Sequence, residues 1–351
     1  MDNVLGVFSI FIADSITFFS IYLMLNLSLN IERGLAGIPI FGLLLSYAAG
    51  AYITGSLGGR IAMFLTGTHL NIDPIENSAD VISAVNPLLE HSAGLSIVYM
   101  LMMLLISAGF GAFIGLIQLG PVIRLREDYL AITLLALAEI LNEIGRVYKP
   151  MLNGPMGVSV PDPFSWAGRE LRFYVASSEI FLIALLIFMY TEYLSRSPLG
   201  RVFRAIRENE IAAVSLGKSI VRYRAIAMIL GSAIAGLAGS LFTLYQGSIT
   251  PTLTRFQWTF LPWLMLFLGG IGNNIGVLIG TLIYVFINRI IIMNKHYLAA
   301  ILPFDIVWFD YISLGIVMAL ILIYRPQGIL PEKPYIPSRV RRIIQELAKE
   351  S

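Results

Sequence analysis

Long runs without a charged residue alternate along this chain with short polar segments. The runs extend from Gly34 to Gly59, Ser92 to Ile123, Ala225 to Thr254 and Phe256 to Asn288. Each exceeds the ~20 residues that an α-helix needs to cross the hydrocarbon core of a bilayer. Their apolarity is continuous, without the period-two alternation of barrel strands, so they read as helices. With the shorter apolar stretches included, the pattern predicts an all-α polytopic transmembrane helix bundle of about eight to ten spans. The expected spans lie near 5–29, 35–58, 95–118, 129–147, 174–194, 225–246, 257–270, 275–293 and 305–324.

The polar segments give the orientation. Between Arg196 and Arg224 stand seven Lys/Arg (Arg196, Arg201, Arg204, Arg207, Lys218, Arg222 and Arg224) against Glu208 and Glu210. Placing this loop in the cytosol puts sixteen of the 24 Lys/Arg on that side, with Arg33, Arg124, Arg126 and the tail from Arg325 among them. The loop from Gly67 to Gly94 then falls outside, with no Lys or Arg and the acids Asp73, Glu76, Asp80 and Glu90, as the positive-inside rule requires. The amino terminus is thereby expected outside and the carboxyl terminus in the cytosol. One membrane domain over 1–330, with its cytosolic loop at about 196–224, precedes a basic cytosolic tail at 331–351.

Composition sharpens this picture. Hydrophobic residues make up 57% and charged residues 13% of the 351, and the mean hydropathy is +0.79; a soluble domain carries about twice that charged fraction. The lipid bilayer is therefore the chain's solvent, and nothing points to nucleic acid. A formal net charge of +2 is uninformative, because in a membrane protein the distribution of charge over the loops matters. Cysteine is absent, which excludes disulfides, thiolate chemistry and Cys-ligated metal. The first apolar stretch lacks a basic leading region and a small-residue cleavage site, so it reads as a mature helix.

Three features carry candidate chemistry. Gly217-Lys218-Ser219 resembles the end of a phosphate-binding loop, but Ala212 stands where that loop needs its first glycine, and no strand precedes it. The chain is thus expected to hold no nucleotide through this motif, to need no cofactor and not to be an enzyme. Glu139 and Glu143 share one helical face in a predicted span, with Arg146 beyond them and Thr133 and Asn142 nearby. They read either as a polar strip along a translocation path, which would allow an ion-coupled secondary transporter, or as an ion-paired packing cluster. Gly269, Gly270, Gly272 and Asn273 interrupt a long apolar run; they read as a close helix-packing element or as a break that lines the pathway.

The polar loop itself holds a pattern beyond its charge. Arg207-Glu-Asn-Glu210-Ile-Ala212-Ala213-Val-Ser-Leu-Gly217, leading to Tyr223-Arg224-Ala225 and Ala235-Gly-Leu-Ala-Gly239, resembles the EAA-type coupling loop and following helix of ABC importer permeases. The likeness is to the branched-chain amino-acid permeases of the LivM type. Leu125-Arg-Glu-Asp128-Tyr129-Leu-Ala131, Leu268-Gly-Gly270-Ile-Gly272, and Tyr324-Arg325-Pro326-Gln327-Gly328 agree with it in order, over roughly residues 30 to 330.

The resemblance implies that Arg207, Glu210, Ala212, Ala213 and Gly217 form a helix seated in a groove of a separate ATPase. The small residues would give that helix a face without bulk, and Glu210 would pair with a basic group on the ATPase or cap the helix. The implied assembly contains a second homologous permease subunit, two ABC ATPase subunits and an extracytoplasmic solute-binding protein that delivers a small-molecule substrate. Asn153-Gly154-Pro155-Met-Gly157 stands where relatives often show a Thr-Gly-Gly-type stretch, and the outer loop is long. These departures leave the solute open, because relatives of this pattern are also assigned to urea, amides, simple sugars or nucleosides.

Overall fold

The computed structural model describes residues 2–253 and 257–294 and, beyond them, 312, 315–316, 319–320, 323–325 and 327–332. The expected span at 305–324 and the tail past 332 therefore lie mostly outside the described residues. Helices occupy the other expected positions: α1 (Asp2–Leu29), α2 (Leu43–Thr66), α4 (Ala93–Arg124), α5 (Glu127–Val147), α7 (Gly168–Arg196), α10 (Ile220–Gln246), α11 (Gln257–Gly269) and α12 (Asn274–Met293). Among the described residues, five stretches are long and apolar enough to cross a membrane: Ser9–Leu35, Ala93–Arg124, Glu170–Arg196, Ile220–Gln246 and Asn274–Met293. Helices α2, α5 and α11, also expected as spans, are not among these five, and the apolar part of α11, Thr259–Gly269, is short. Most of α2 is buried inside the bundle, where Gly, Ser, Tyr and Thr are compatible with a membrane protein.

Helix α10 is the axis of the bundle, packed between α2 and α4. Backbone contact sets this packing. A Cβ on Gly50 would stand 2.1 Å from Gly236 O, one on Gly239 2.1 Å from Tyr47 O, and one on Gly111 2.4 Å from Ser232 O. Small residues let helices approach this closely in lipid, where no hydrophobic drive favours association. The hydroxyls at the same level fix the register: Thr54 lies 2.8 Å from Ser240 and 3.0 Å from Ser107, and donates to Gly50 O at 2.9 Å.

Helix α1 joins this core to the rest. It packs on α7, α10 and α12, donates from Asn26 to Thr281 (2.7 Å) and from Ser28 to Gly231 O (2.6 Å), and continues as a π-helical turn, Asn30–Leu35. Helices α11 and α12 form a hairpin in which a Cβ on Gly280 would meet Met265 O at 2.3 Å, and one on Gly276 would meet Gly269 O at 2.6 Å. The glycine-rich segment is a tight turn between these two helices.

At the end of the bundle away from the basic loop, the long acidic segment is partly helical. Helix α3 (Ser78–Glu90) turns Val81, Val85 and Leu89 inward. After α6 (Lys149–Leu152), the chain turns through Asn153, at φ 55°, and Gly154 into β1 (Val158–Ser159), which pairs antiparallel with β2 (Ser248–Ile249). Arg172 and Asp162 form an ion pair beneath them. His69 and His91 are exposed at this end, and His296 lies outside the described residues.

Candidate coupling site

The basic loop folds as two short helices because each begins on a residue able to cap it. Ser197 Oγ accepts from Gly200 N at 3.2 Å to start α8 (Pro198–Glu208), and Pro198 follows at the first helical position. Asn209 Oδ1 accepts from Ala212 N at 3.0 Å to start α9 (Glu210–Ser215). Gly217, at φ 75°, ends α9 with bonds from Gly217 N to Val214 O (2.8 Å) and from Lys218 N to Ala213 O (3.0 Å). That closure needs a left-handed residue, which explains the glycine. A helix rather than a strand precedes Gly217-Lys218-Ser219, so the likeness to a phosphate-binding loop ends there.

Helix α8 buries Gly200, Phe203 and Ile206, which holds it against the bundle. Helix α9 does the reverse. Ile211 and Leu216 are 81% and 77% exposed and Val214 is exposed beside them, whereas Ala213 is 2% exposed. The small residues therefore do not share one outward face: Ala212 points out, Ala213 packs inward, and Gly217 serves the turn. The outward side is bulky and apolar, and Arg201, Lys218 and Arg222 of the same loop are exposed as well. Ala213→Leu is expected to destabilise the chain by ~1–3 kcal/mol through overpacking, while the exposed Ala212→Leu changes little; thermal unfolding in detergent measures both.

Glu210 forms an ion pair with Arg224 in the first turns of α10. Arg207 reaches inward. It donates to Gly34 O in the π-helical turn, pairs with Glu208 (2.8 Å) and Glu332 (2.7 Å), and is half-buried. Burial opposes its charge, but the two carboxylates outweigh burial and hold the guanidinium above its ordinary pKa. Between these groups lies a cleft of about 370 Å³, lined by Gly37, Pro39, Leu125, Arg126, Glu127, Arg207, Glu210 and Arg224. The cleft joins the α1–α2 link, the α4–α5 link and the basic loop at one end of the bundle.

The other expected site residues fall in two places. Glu139 and Glu143 are exposed on α5 and Thr133 and Asn142 half-buried on its two flanks, while its inward face is Leu130, Leu134, Ala138 and Gly145. Glu139 accepts weakly from Asn142 at 3.5 Å, and Glu143 lies 3.6 Å from Arg146 with both side chains largely exposed. Gly269, Gly270, Gly272 and Asn273 form the α11–α12 turn, at the same end as the basic loop. Asn273 caps α12, accepting from Ile275 N at 3.1 Å, and a Cβ on Gly270 would stand 2.3 Å from Leu330 O. These four residues are taken up by packing and capping within the chain.

Sequence reasoning passed over two groups. Glu32, 2% exposed, sits in the π-helical turn with Ser232 Oγ at 3.2 Å and fits because Gly231 has no side chain. Its place between an apolar span and Arg33 made it look like a loop residue. Glu332 was assigned to the tail, yet it lies between Arg204 (2.6 Å) and Arg207. A carboxylate just after the agreeing Arg325-to-Gly328 stretch was the available signal for it.

A polytopic helical bundle that leaves a short, apolar-faced helix unpartnered beside a cluster of cations at one end has the form of a membrane transport subunit that works with other chains. Comparison with known proteins identifies which one: residues 11–322 match the family described as the branched-chain amino acid transport system / permease component, and the chain belongs to that family. It is 37% identical over 333 residues, covering 94% of this chain and 96% of the relative, to the protein of Methanocaldococcus jannaschii named "Probable branched-chain amino acid transport permease protein LivM". It is 31% identical over 343 residues to the high-affinity branched-chain amino acid transport system permease protein LivM of Salmonella typhimurium, covering 91% of this chain and 69% of the relative. The protein of that name in Escherichia coli shows the same identity and coverage. No solved structure matches. The chain is thus a multi-pass transport permease of the cell membrane, and its family is not an enzyme class.

Proposed function

We propose that this chain is one half of the membrane core of an ABC importer for branched-chain or related amino acids, driven by separate ATPase subunits that dock on α9. The observation that carries this reading is the exposure of Ile211, Val214 and Leu216 in a loop whose Arg201, Lys218 and Arg222 are also exposed. Three bulky apolar side chains this exposed are costly in water and mark a surface made for a protein partner. Family membership and the names of the relatives support the solute class. The remaining parts of the assembly are a second homologous permease, two ATPase subunits below, and an extracytoplasmic solute-binding protein above. In this reading the end that bears α8 and α9 faces the cytosol, the amino terminus lies outside, and this chain hydrolyses no ATP.

The α5 face fits the same scheme. Carboxylates such as Glu139 and Glu143 are expensive against lipid, so a face that carries them and is left open by this chain belongs against the second permease or along water. Thr133, Glu139, Asn142 and Glu143 would then border the translocation path between the two permease halves. The test is uptake by the reconstituted complex with the ion gradients clamped. ATP depletion is expected to stop transport, and Glu139→Gln or Glu143→Gln to change its rate or apparent KM while leaving it ATP-dependent. Uptake that survives ATP depletion and follows a proton or sodium gradient would overturn the proposal in favour of ion coupling.

A further inference from the structure

The segment Gln327–Glu332 lies across the α11–α12 turn and continues to the basic loop. Ile329 N donates to Leu268 O and Leu330 N to Gly269 O, each at 3.0 Å, and Asn273 Nδ2 donates to Leu330 O at 3.2 Å. Gly270 and Gly328 make room for this: a Cβ on Gly328 would stand 2.5 Å from Gly270 N. At the end of the segment, Glu332 binds Arg204 at 2.6 Å through one oxygen and Arg207 at 2.7 Å through the other. Arg204 also donates to Ser195 O at the end of α7 (2.9 Å), and Arg207 to Gly34 O in the π-helical turn that follows α1. Asn30 of the same π-helical turn accepts from Gly272 N and donates to Asn274 Oδ1, each at 2.8 Å. Two glycines on different elements leave space for one arginine side chain, because a Cβ on Gly37 would meet Arg207 Cγ at 2.6 Å and one on Gly272 would meet Arg207 Nη1 at 3.2 Å.

We infer that Gln327–Glu332 is a strap that makes the α11–α12 hairpin, the end of α1 and the coupling helices move as one body, with Glu332 as the positioning residue that fastens it. Among the described residues, Glu332 is the ion-pair partner that ties both α8 arginines to the segment lying on the hairpin; without it, a push on α9 would tilt α8 and α9 with less resistance from the hairpin. With it, the push is shared with α1 and with both helices of the hairpin. The carboxylate suits this role because it takes two guanidinium groups at once, each by a charge-assisted bond that fixes direction as well as distance. This inference rests on the importer reading above.

The experiment measures solute transported per ATP hydrolysed by the complete complex in liposomes. Glu332→Gln is expected to lower that ratio about tenfold by weakening both charge-assisted bonds, while the ATPase subunits still co-purify; Glu332→Asp is expected to restore part of it. A wild-type ratio in Glu332→Gln, or equal losses of transport and hydrolysis together with lost co-purification, would overturn the strap. The cysteine-free chain allows a second measurement independent of Glu332. Joining Leu268→Cys and Ile329→Cys with a short thiol crosslinker should leave transport unchanged if strap and hairpin move together, and transport blocked by the crosslink and recovered on its cleavage would overturn it. A wild-type complex showing no ATP-driven uptake would instead refute the importer reading, so the two failures are distinguishable.

Discussion

Gly50→Val is expected to prevent the central helices from closing, and little folded protein should survive extraction into mild detergent. A Cβ at that position would stand 2.1 Å from Gly236 O and 2.6 Å from Gly236 Cα, so the clash is with backbone and no side-chain rotation relieves it. Overpacking of a core costs ~1–3 kcal/mol when side chains can shift; with two rigid backbones the cost lies at or above the top of that range. Separating α2 from α10 would also pull Thr54 from Ser240 and break a buried hydrogen bond in a medium without water to replace it. Fluorescence-detected size exclusion after a thermal ramp measures the loss. Gly109→Ala is the control, because nothing lies within 4 Å of its added Cβ and alanine favours the helix. Equal stability of Gly50→Val and wild type would show that α10 is not gripped as described.

Ile211→Asp combined with Leu216→Asp is expected to abolish ATP-driven uptake while the chain still inserts and folds. Both side chains are mostly exposed, so the change removes little from the chain's own core. Where such a side chain is an interface hot spot, its truncation costs ~2–4 kcal/mol. At ~1.4 kcal/mol per decade, losing even one weakens the ATPase subunit's binding by ~30-fold or more. Co-purification in mild detergent and ATP-driven uptake should fall together. Lys218→Ala, in the same loop, should change binding by less than about tenfold and mainly alter its salt dependence. Full uptake in the double variant would return the loop to being merely basic and locate docking elsewhere, with the exposed α4–α5 link as the next surface to test.

Much of this architecture was readable along the chain. Eight of the nine expected spans appear as helices, because a long, predominantly apolar run must satisfy its own backbone hydrogen bonds in lipid. The position of the two short helices of the basic loop was readable as well, through Ser197, Asn209 and Gly217, whose capping and turn roles are local. The direction in which α9 faces was not. A six-residue helix has too few positions to define an amphipathic stripe, and Ala213 packs inward only because α8 and α10 bring the chain around it.

Local chemistry and long-range proximity thus divided the problem. Hydropathy, charge placement and capping residues determined by themselves that this is a helical membrane protein, where its helices lie, and where a short helix interrupts them, because those signals act over a few turns of chain. Only the tertiary structure decided that Gly50 meets Gly236, that Asn30 meets Gly272, and that Glu332 holds Arg204 and Arg207. These pairs are separated by between 125 and 242 residues. No periodicity spans such distances, and the same glycine, asparagine or glutamate reads as a loop or packing residue until the fold supplies its partner.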